Sequence, residues 1–256
     1  MASSSGEPDM EGFDTSSTSS SSGEEEPGTS FITDPEGPFC PALPPGTQAH
    51  CTPCSPWSQD CADGDACKPW ANDGGETWRT TRCSPVDPRP DRAGESCTVQ
   101  GSAWSGHDSC EAGALCWNVD AETLGGQCVS MCQGNFNEPV CGEGETCLVA
   151  NDGQLTLCLP ACDPLESTCG EGFGCYPNGL DGFACVREGE NVHVRNFFHP
   201  HCPAGSVMTL DGCVALCDLA IEGGCEGEAT CQAYYARGKA PRGLEDVGVC
   251  SAGDSR

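Results

Sequence analysis

The sequence predicts a small disulfide-rich fold, mostly irregular loops and β-hairpins with little helix, arranged as five tandem four-cysteine units. Three observations carry that expectation. The 256 residues include 24 cysteines, an even number at a density that marks cross-linked scaffolds. Leu, Ile, Val and Phe supply only 14 % of the chain, against a net charge of −28. So few apolar side chains cannot offset chain entropy by burial alone. Disulfides closing loops of about 15 residues each contribute roughly 2–4 kcal/mol, mostly by restricting the unfolded chain. A dozen of them replace a conventional core.

The third observation is the order of the cysteines. From Cys128 to Cys185 two copies of one pattern stand back to back, and five pairs along the chain share a five-residue middle spacing: Cys61/Cys67, Cys110/Cys116, Cys141/Cys147, Cys169/Cys175 and Cys225/Cys231. Four of them read C-x-x-G-x-x-C, with Gly64, Gly113, Gly144 and Gly172, while Gly227 stands one place early in the fifth. A glycine at that place predicts a backbone position with positive φ. Flanking cysteines complete the quartets 54/61/67/83, 97/110/116/128, 132/141/147/158, 162/169/175/185 and 217/225/231/250, and leave two matching pairs, Cys40/Cys51 and Cys202/Cys213.

The units follow from that arithmetic. Residues 1–39 form an acidic Ser-rich tether; 40–96 hold the first unit and its preceding pair; 97–131, 132–161 and 162–186 are units 2, 3 and 4; and 187–252 combine a variable insertion with unit 5. Between third and fourth cysteines each unit reads as a hairpin. CLVA–NDG–QLTLC is the plainest, with short apolar runs around Asn151-Asp152-Gly153, a turn that favours positive φ. Spacing does not fix connectivity. The pairing expected is first to third and second to fourth: Cys54–Cys67, Cys61–Cys83, Cys97–Cys116, Cys110–Cys128, Cys132–Cys147, Cys141–Cys158, Cys162–Cys175, Cys169–Cys185, Cys217–Cys231 and Cys225–Cys250, with Cys40–Cys51 and Cys202–Cys213 closing on themselves.

Such cysteine usage belongs to an oxidising compartment, so the expected location is extracytoplasmic: periplasm, outer surface or secreted. The tether has nine acids and no Lys or Arg, as suits a self-repelling spacer. It is the kind of stretch that stands a bacterial lipoprotein off its membrane, and a lipid anchor on a precursor is the one membrane attachment expected. No basic, apolar leader occupies residues 1–30, so for an exported chain the expectation is either a signal peptide already removed or a start that lies inside a longer precursor. Nucleic acid is excluded as a partner because phosphate recognition needs clustered Lys and Arg.

Few constellations carry chemistry. Cys51-x2-Cys54 has zinc-knuckle spacing but no second C-x-x-C at a finger's distance, which favours disulfides over metal. His199 and His201, with His193 and His50 elsewhere, are weak metal or acid–base candidates, and an isomerase or hydrolase with a His/Asp site would have it near residues 193–201. Asp73, Asp120, Asp152 and Asp181 recur at one place in successive units and are candidates for structural calcium, although Asn-Asp-Gly is already what the turn needs. Trp57, Trp70, Trp78, Trp104 and Trp117 fall in the first half. They read first as substitute core over disulfides, and second as a glycan-stacking platform. Ser105-Gly106-His107-Asp108 puts three triad residue types in one run, which adjacent residues rarely turn into triad geometry. Nucleophile elbow, Walker loop, dinucleotide fingerprint and H-E-x-x-H are all missing.

The segments PWANDGGETWRTTRC, SGHDSCEAGALCWNVD, VANDGQLTLCLPACDPL and GKAPRGLEDVGVC resemble those of a family of cysteine-rich exported bacterial proteins. The resemblance covers most of residues 40–252 and leaves out 187–201. Members often begin as lipoproteins with a Ser/Thr/Gly/Glu spacer, and some carry the name ribulose-phosphate 3-epimerase. That enzyme is a (β/α)8 barrel, which requires eight buried apolar strands alternating with amphipathic helices, and the sequence predicts neither. The leading expectation is therefore an exported, non-enzymatic protein without a cofactor that binds an extracellular protein or glycan. The alternatives are an enzyme as the relatives' label implies, or a glycan-binding module through the tryptophans of 57–117.

Overall fold

Every cysteine among the described residues is bonded to a partner 11 to 25 residues away in sequence. The computed structural model describes residues 54–166, 168–188, 202–209 and 212–252. Eleven disulfides lie within them, and all five quartets pair first to third and second to fourth. Cys202 pairs with Cys213. The expected Cys40–Cys51 bridge lies outside the described residues, as do the tether, His50, His193, His199 and His201.

The strands follow the units. Unit 1 holds β1 (Asp65–Trp70) and β2 (Thr80–Pro85); unit 2 holds β3 (Ser96–Thr98), β4 (Ala114–Trp117) and β5 (Gly125–Ser130). Unit 3 holds β6 (Gln133–Asn135), β7 (Glu138–Val140), β8 (Glu145–Ala150) and β9 (Leu155–Pro160), and unit 4 holds β10 (Phe173–Pro177) and β11 (Phe183–Arg187). Beyond them come β12 (Ser206–Thr209), β13 (Gly212–Asp218), β14 (Ala229–Ala233) and β15 (Val247–Ala252). All strand pairs are antiparallel. The described residues contain no α-helix, only a 3-10 turn at Asn151–Gly153, so the architecture is not a (β/α)8 barrel.

One turn opens the hairpins of units 1 to 4. Residues 62–65, 111–114, 142–145 and 170–173 each close on a backbone hydrogen bond of 3.0–3.2 Å from fourth to first. The motif glycine sits third, with φ of +93°, +77°, +77° and +77° for Gly64, Gly113, Gly144 and Gly172. The glycine's carbonyl then accepts the N–H of the residue three places past the unit's last cysteine: Val86, Met131, Ala161 and Glu188, at 2.7–3.0 Å. Third and fourth cysteines face each other across the hairpin, as in Cys67↔Cys83 and Cys147↔Cys158. In the plainest hairpin Asn151, Asp152 and Gly153 all take positive φ, which is why that tripeptide connects β8 to β9.

The Cys202/Cys213 pair is more than a bare loop. Gly205 (φ +77°) is third in a turn closed from Ser206 N–H to the Pro203 carbonyl, and its own carbonyl accepts Leu216 N–H at 2.8 Å. Met208 stands opposite Cys213, where a third cysteine faces a fourth in the full units. Cys202-Pro-Ala-Gly-Ser-Val-Met208 is thus the common motif with its last cysteine replaced by methionine. It is a sixth, half-stapled unit, and its β13 continues into the sheet of unit 5, in the order β12-β13-β15-β14.

Units 2 and 3, units 3 and 4, and the half-stapled unit and unit 5 are coupled by one repeated contact. Met131 bridges Leu157, and Ala161 bridges Ala184; Leu216 pairs with Val249 in the same relation. Each joins the residue three past one unit's last cysteine to the residue just before the next unit's last cysteine. Along this line runs a shared apolar seam, in which Leu115, Trp117, Leu148, Leu157 and Ala184 are all at most 2 % exposed. A second cluster, around Phe183, Val207 and Val247, ties unit 4 to the last sheet.

Candidate functional site between the first two units

The join from unit 1 to unit 2 differs from the others, and the unusual chemistry gathers there. Along β1 alternate side chains share a face, so Lys68 and Trp70 lie together with Arg82, which is opposite Lys68 on β2. That face presses onto the segment 104–116. Lys68 Nζ donates to Asp108 Oδ1 at 2.9 Å, to the carbonyls of Cys110 and Glu111 at 3.4 Å, and to the carbonyl of Ala114. The two side chains are 3 % and 2 % exposed. The Asp108 carboxylate also accepts the backbone N–H of Cys110 at 2.9 Å and of Cys116 at 3.2 Å. Burial pushes the Lys68 ammonium below its ordinary pKa, and the Asp108 carboxylate opposes that shift.

Arg82 completes the clasp. Its guanidinium lies 4.4 Å from the Trp70 ring centroid and donates through Nη2 to the Ser105 carbonyl; burial lowers its pKa. Gly106 lets the two segments touch. A Cβ there would lie 2.9 Å from Trp70 Cβ and 3.0 Å from the Pro69 carbonyl, and its φ is +69°. Half-buried His107 is held below its usual pKa by burial and by the Arg82 charge, against a smaller pull from Asp108.

No hydrogen-bonded triad forms in the run 105–108. Ser105 Oγ accepts the His107 backbone N–H at 3.2 Å and donates to the His107 carbonyl at 3.4 Å, while Asp108 belongs to Lys68. Gln59 plays the part in unit 1 that Asp108 plays in unit 2: its Oε1 accepts Cys67 N–H at 3.0 Å. Both residues stand two places before the second cysteine of their unit. That shared offset is the sequence signal by which Asp108 could have been singled out; Lys68 has none.

The calcium candidates do not converge. Asp73, Asp120, Asp152 and Asp181 are all exposed, each at its own turn. Asp73 accepts Gly75 N–H and pairs with Arg79 at 2.7 Å, and Asp120 caps the backbone of Glu122 and Thr123. Asp181 offers its backbone carbonyl to the Tyr235 hydroxyl. Among the described residues, every cluster of three or more metal-ligand atoms consists of disulfide sulfurs, which have no thiolate to give.

The tryptophans are core rather than platform. Trp70, Trp78 and Trp117 are 7 %, 5 % and 2 % exposed, so the exposed coplanar pair that sugar stacking requires is missing from all five. Half-buried Trp57 covers the disulfides of unit 3. Trp78 packs on Trp117 at 5.6 Å and 30° and on Trp104 at 6.3 Å and 51°, and these three rings line a cleft of about 220 Å³. A wider cavity of about 590 Å³ lies among units 2, 3 and 4, behind Trp117 and Asn118. No helix of the described residues is long and apolar enough to cross a membrane. Compared with known proteins, the chain matches no family model, no curated protein and no solved structure.

Proposed function

We propose that the chain is an exported, non-enzymatic binding scaffold that presents loops of a rigid disulfide array to an extracellular protein or glycan. The observation that supports it most is the commitment of its reactive groups. Eleven disulfides take up the described cysteines, and the one buried lysine and its aspartate satisfy each other and the surrounding backbone. Thiols so fully oxidised suit an extracytoplasmic compartment. The acidic run 93–186, which has no Lys or Arg of its own, takes its cation from unit 1 as Lys68. A rigid frame with variable loops is a common basis for recognition.

The activity that the sequence resemblance implies sets the test. Protein made in an oxidising host should release no thiol to a thiol reagent under denaturing conditions, and should leave ribulose 5-phosphate unchanged with or without divalent metal. Several reactive thiols would remove the oxidised scaffold. Turnover that copurifies with the homogeneous protein would remove the non-enzymatic reading.

A further inference from the structure

The apolar seam opens where units 2, 3 and 4 meet, into the wider cavity of about 590 Å³. Its place follows from the join. Strands β5 and β9 meet at the Met131–Leu157 bridge but belong to different sheets, so no ladder runs on from that bridge. The cavity lies between residues 127–130 and 158–160, with the 168–173 turn of unit 4 as a further wall. Its volume falls within the usual range for small-molecule sites, roughly 300–1,000 Å³.

The groups it presents are one-sided in charge. Val129, Pro160 and Phe173 supply apolar wall, and none of the three is fully buried. Glu145 is the one charged residue among the described lining residues, and it is exposed. Its Oε2 accepts the Gly142 N–H at 3.0 Å, which holds the carboxylate in place and leaves Oε1 for another donor. Gln127, also exposed, donates Nε2 to the Gly94 carbonyl at 3.0 Å, so the free end of that amide is an acceptor. Ser130 and Thr168 add hydroxyls. No Lys or Arg occurs anywhere in 93–186. The lining thus offers acceptors and a single negative charge, with no cation of its own to answer it.

We propose that this cavity binds a small organic monocation, an apolar ring or chain that ends in an ammonium or guanidinium. The apolar body lies against Val129, Pro160 and Phe173, and the cationic head pairs with the Glu145 carboxylate. An anion meets repulsion there and no counter-charge, and a neutral molecule of the same shape forgoes the ion pair. The proposal goes beyond the scaffold reading and does not depend on it, since an enzyme could hold such a ligand equally well.

The probes are 2-phenylethylammonium, the neutral 2-phenylethanol and the anion 3-phenylpropanoate. Each is titrated into full-length 15N-labelled protein at about 0.15 M salt, where exposed charges more than about 8 Å apart are largely screened. Backbone amide shifts at Ser130, Thr168 and Phe173 report occupancy. The expected result is a saturable shift there with 2-phenylethylammonium and little change in β12–β15. The alcohol should bind about fivefold more weakly, the worth of one partly exposed ion pair, and the anion more weakly still. Glu145→Gln, which keeps an acceptor for the Gly142 N–H, should bring the cation to the alcohol's affinity and leave the alcohol unchanged. Glu222→Gln removes the same charge from unit 5, outside the lining, and should alter neither. Equal binding of cation and alcohol by the unaltered protein, or no saturable shift at those amides, overturns the proposal. So does an equal loss in the two variants, which would mark attraction to the chain's net charge. Because the three probes are compared on the native chain, the test stands even if Glu145→Gln folds poorly.

Discussion

Lys68 occupies a ligand set that would suit a hard cation: one carboxylate and three backbone carbonyls. Its ammonium is a tethered ion at the centre of the joint. Removing one partner of a buried pair strands the other charge, so Lys68→Met should destabilise the protein by about 3–5 kcal/mol. Adding Asp108→Asn to that variant should recover part of the loss. Urea unfolding followed by tryptophan fluorescence, with disulfides intact, measures both. His107 makes the same joint sensitive to pH. Its folded pKa lies below the ordinary 6.5, so on acidification the unfolded chain takes up the proton before the folded one does. Stability is therefore full above pH ~6.5 and falls as the pH drops below it. His107→Gln should flatten that part of the stability–pH curve while leaving the more acidic carboxylate region as it is. Little of this joint was legible in the sequence. Lys68 and Asp108 are 40 residues apart, with no periodic pattern to link them, and the neighbouring Ser-His-Asp run drew notice for a chemistry that its geometry does not support.

The hairpin with its opening turn is the element that repeats, and its glycines separate two kinds of constraint. At Gly113 and Gly144 an added Cβ would meet nothing within 4 Å, yet φ is +77°. Their replacement by alanine should cost about 1–2 kcal/mol from backbone conformation alone. On β5, Gly126 lacks that positive φ, but its Cβ would fall 2.5 Å from the Trp117 carbonyl. Gly126→Ala should therefore be the more damaging change, and thermal unfolding of the three single variants would rank them. The positive φ of the motif glycines and the strand–turn–strand reading of 147–158 followed directly from spacing and turn chemistry. What cysteine counting could not recover was the half-stapled unit at 202–213. Its turn glycine and strand register match the others, but Met208 stands where the count looked for sulfur that can bridge. Methionine there keeps the strand register and omits the covalent bond.

As a whole molecule the chain is an array in which the shared hydrogen bond and the apolar seam join neighbours, so a local change should be felt mainly in its own unit and the next. Replacing Cys110 and Cys128 together by alanine should lower stability by about 2–5 kcal/mol. Hydrogen exchange should show the lost protection concentrated in units 1 to 3 and small in β12–β15; uniform loss over every unit would contradict an array. The crossed bridges also decide how the molecule answers to pulling. In unit 3 the shortest covalent path from Cys132 to Cys158 crosses the disulfide to Cys147, runs six residues back to Cys141 and crosses the second disulfide, whereas the peptide chain itself runs twenty-six. At about 3.4 Å per extended residue, with Cα–Cα spans of 5.8 and 5.5 Å across the two bridges, a unit under load can pay out roughly 30 Å rather than roughly 90 Å. The hairpin from Cys147 to Cys158 lies off that path and is carried along as slack that bears no load. Tugged by a partner at one end while held at the other, the array behaves as a strap of limited stretch whose folded loops stay folded.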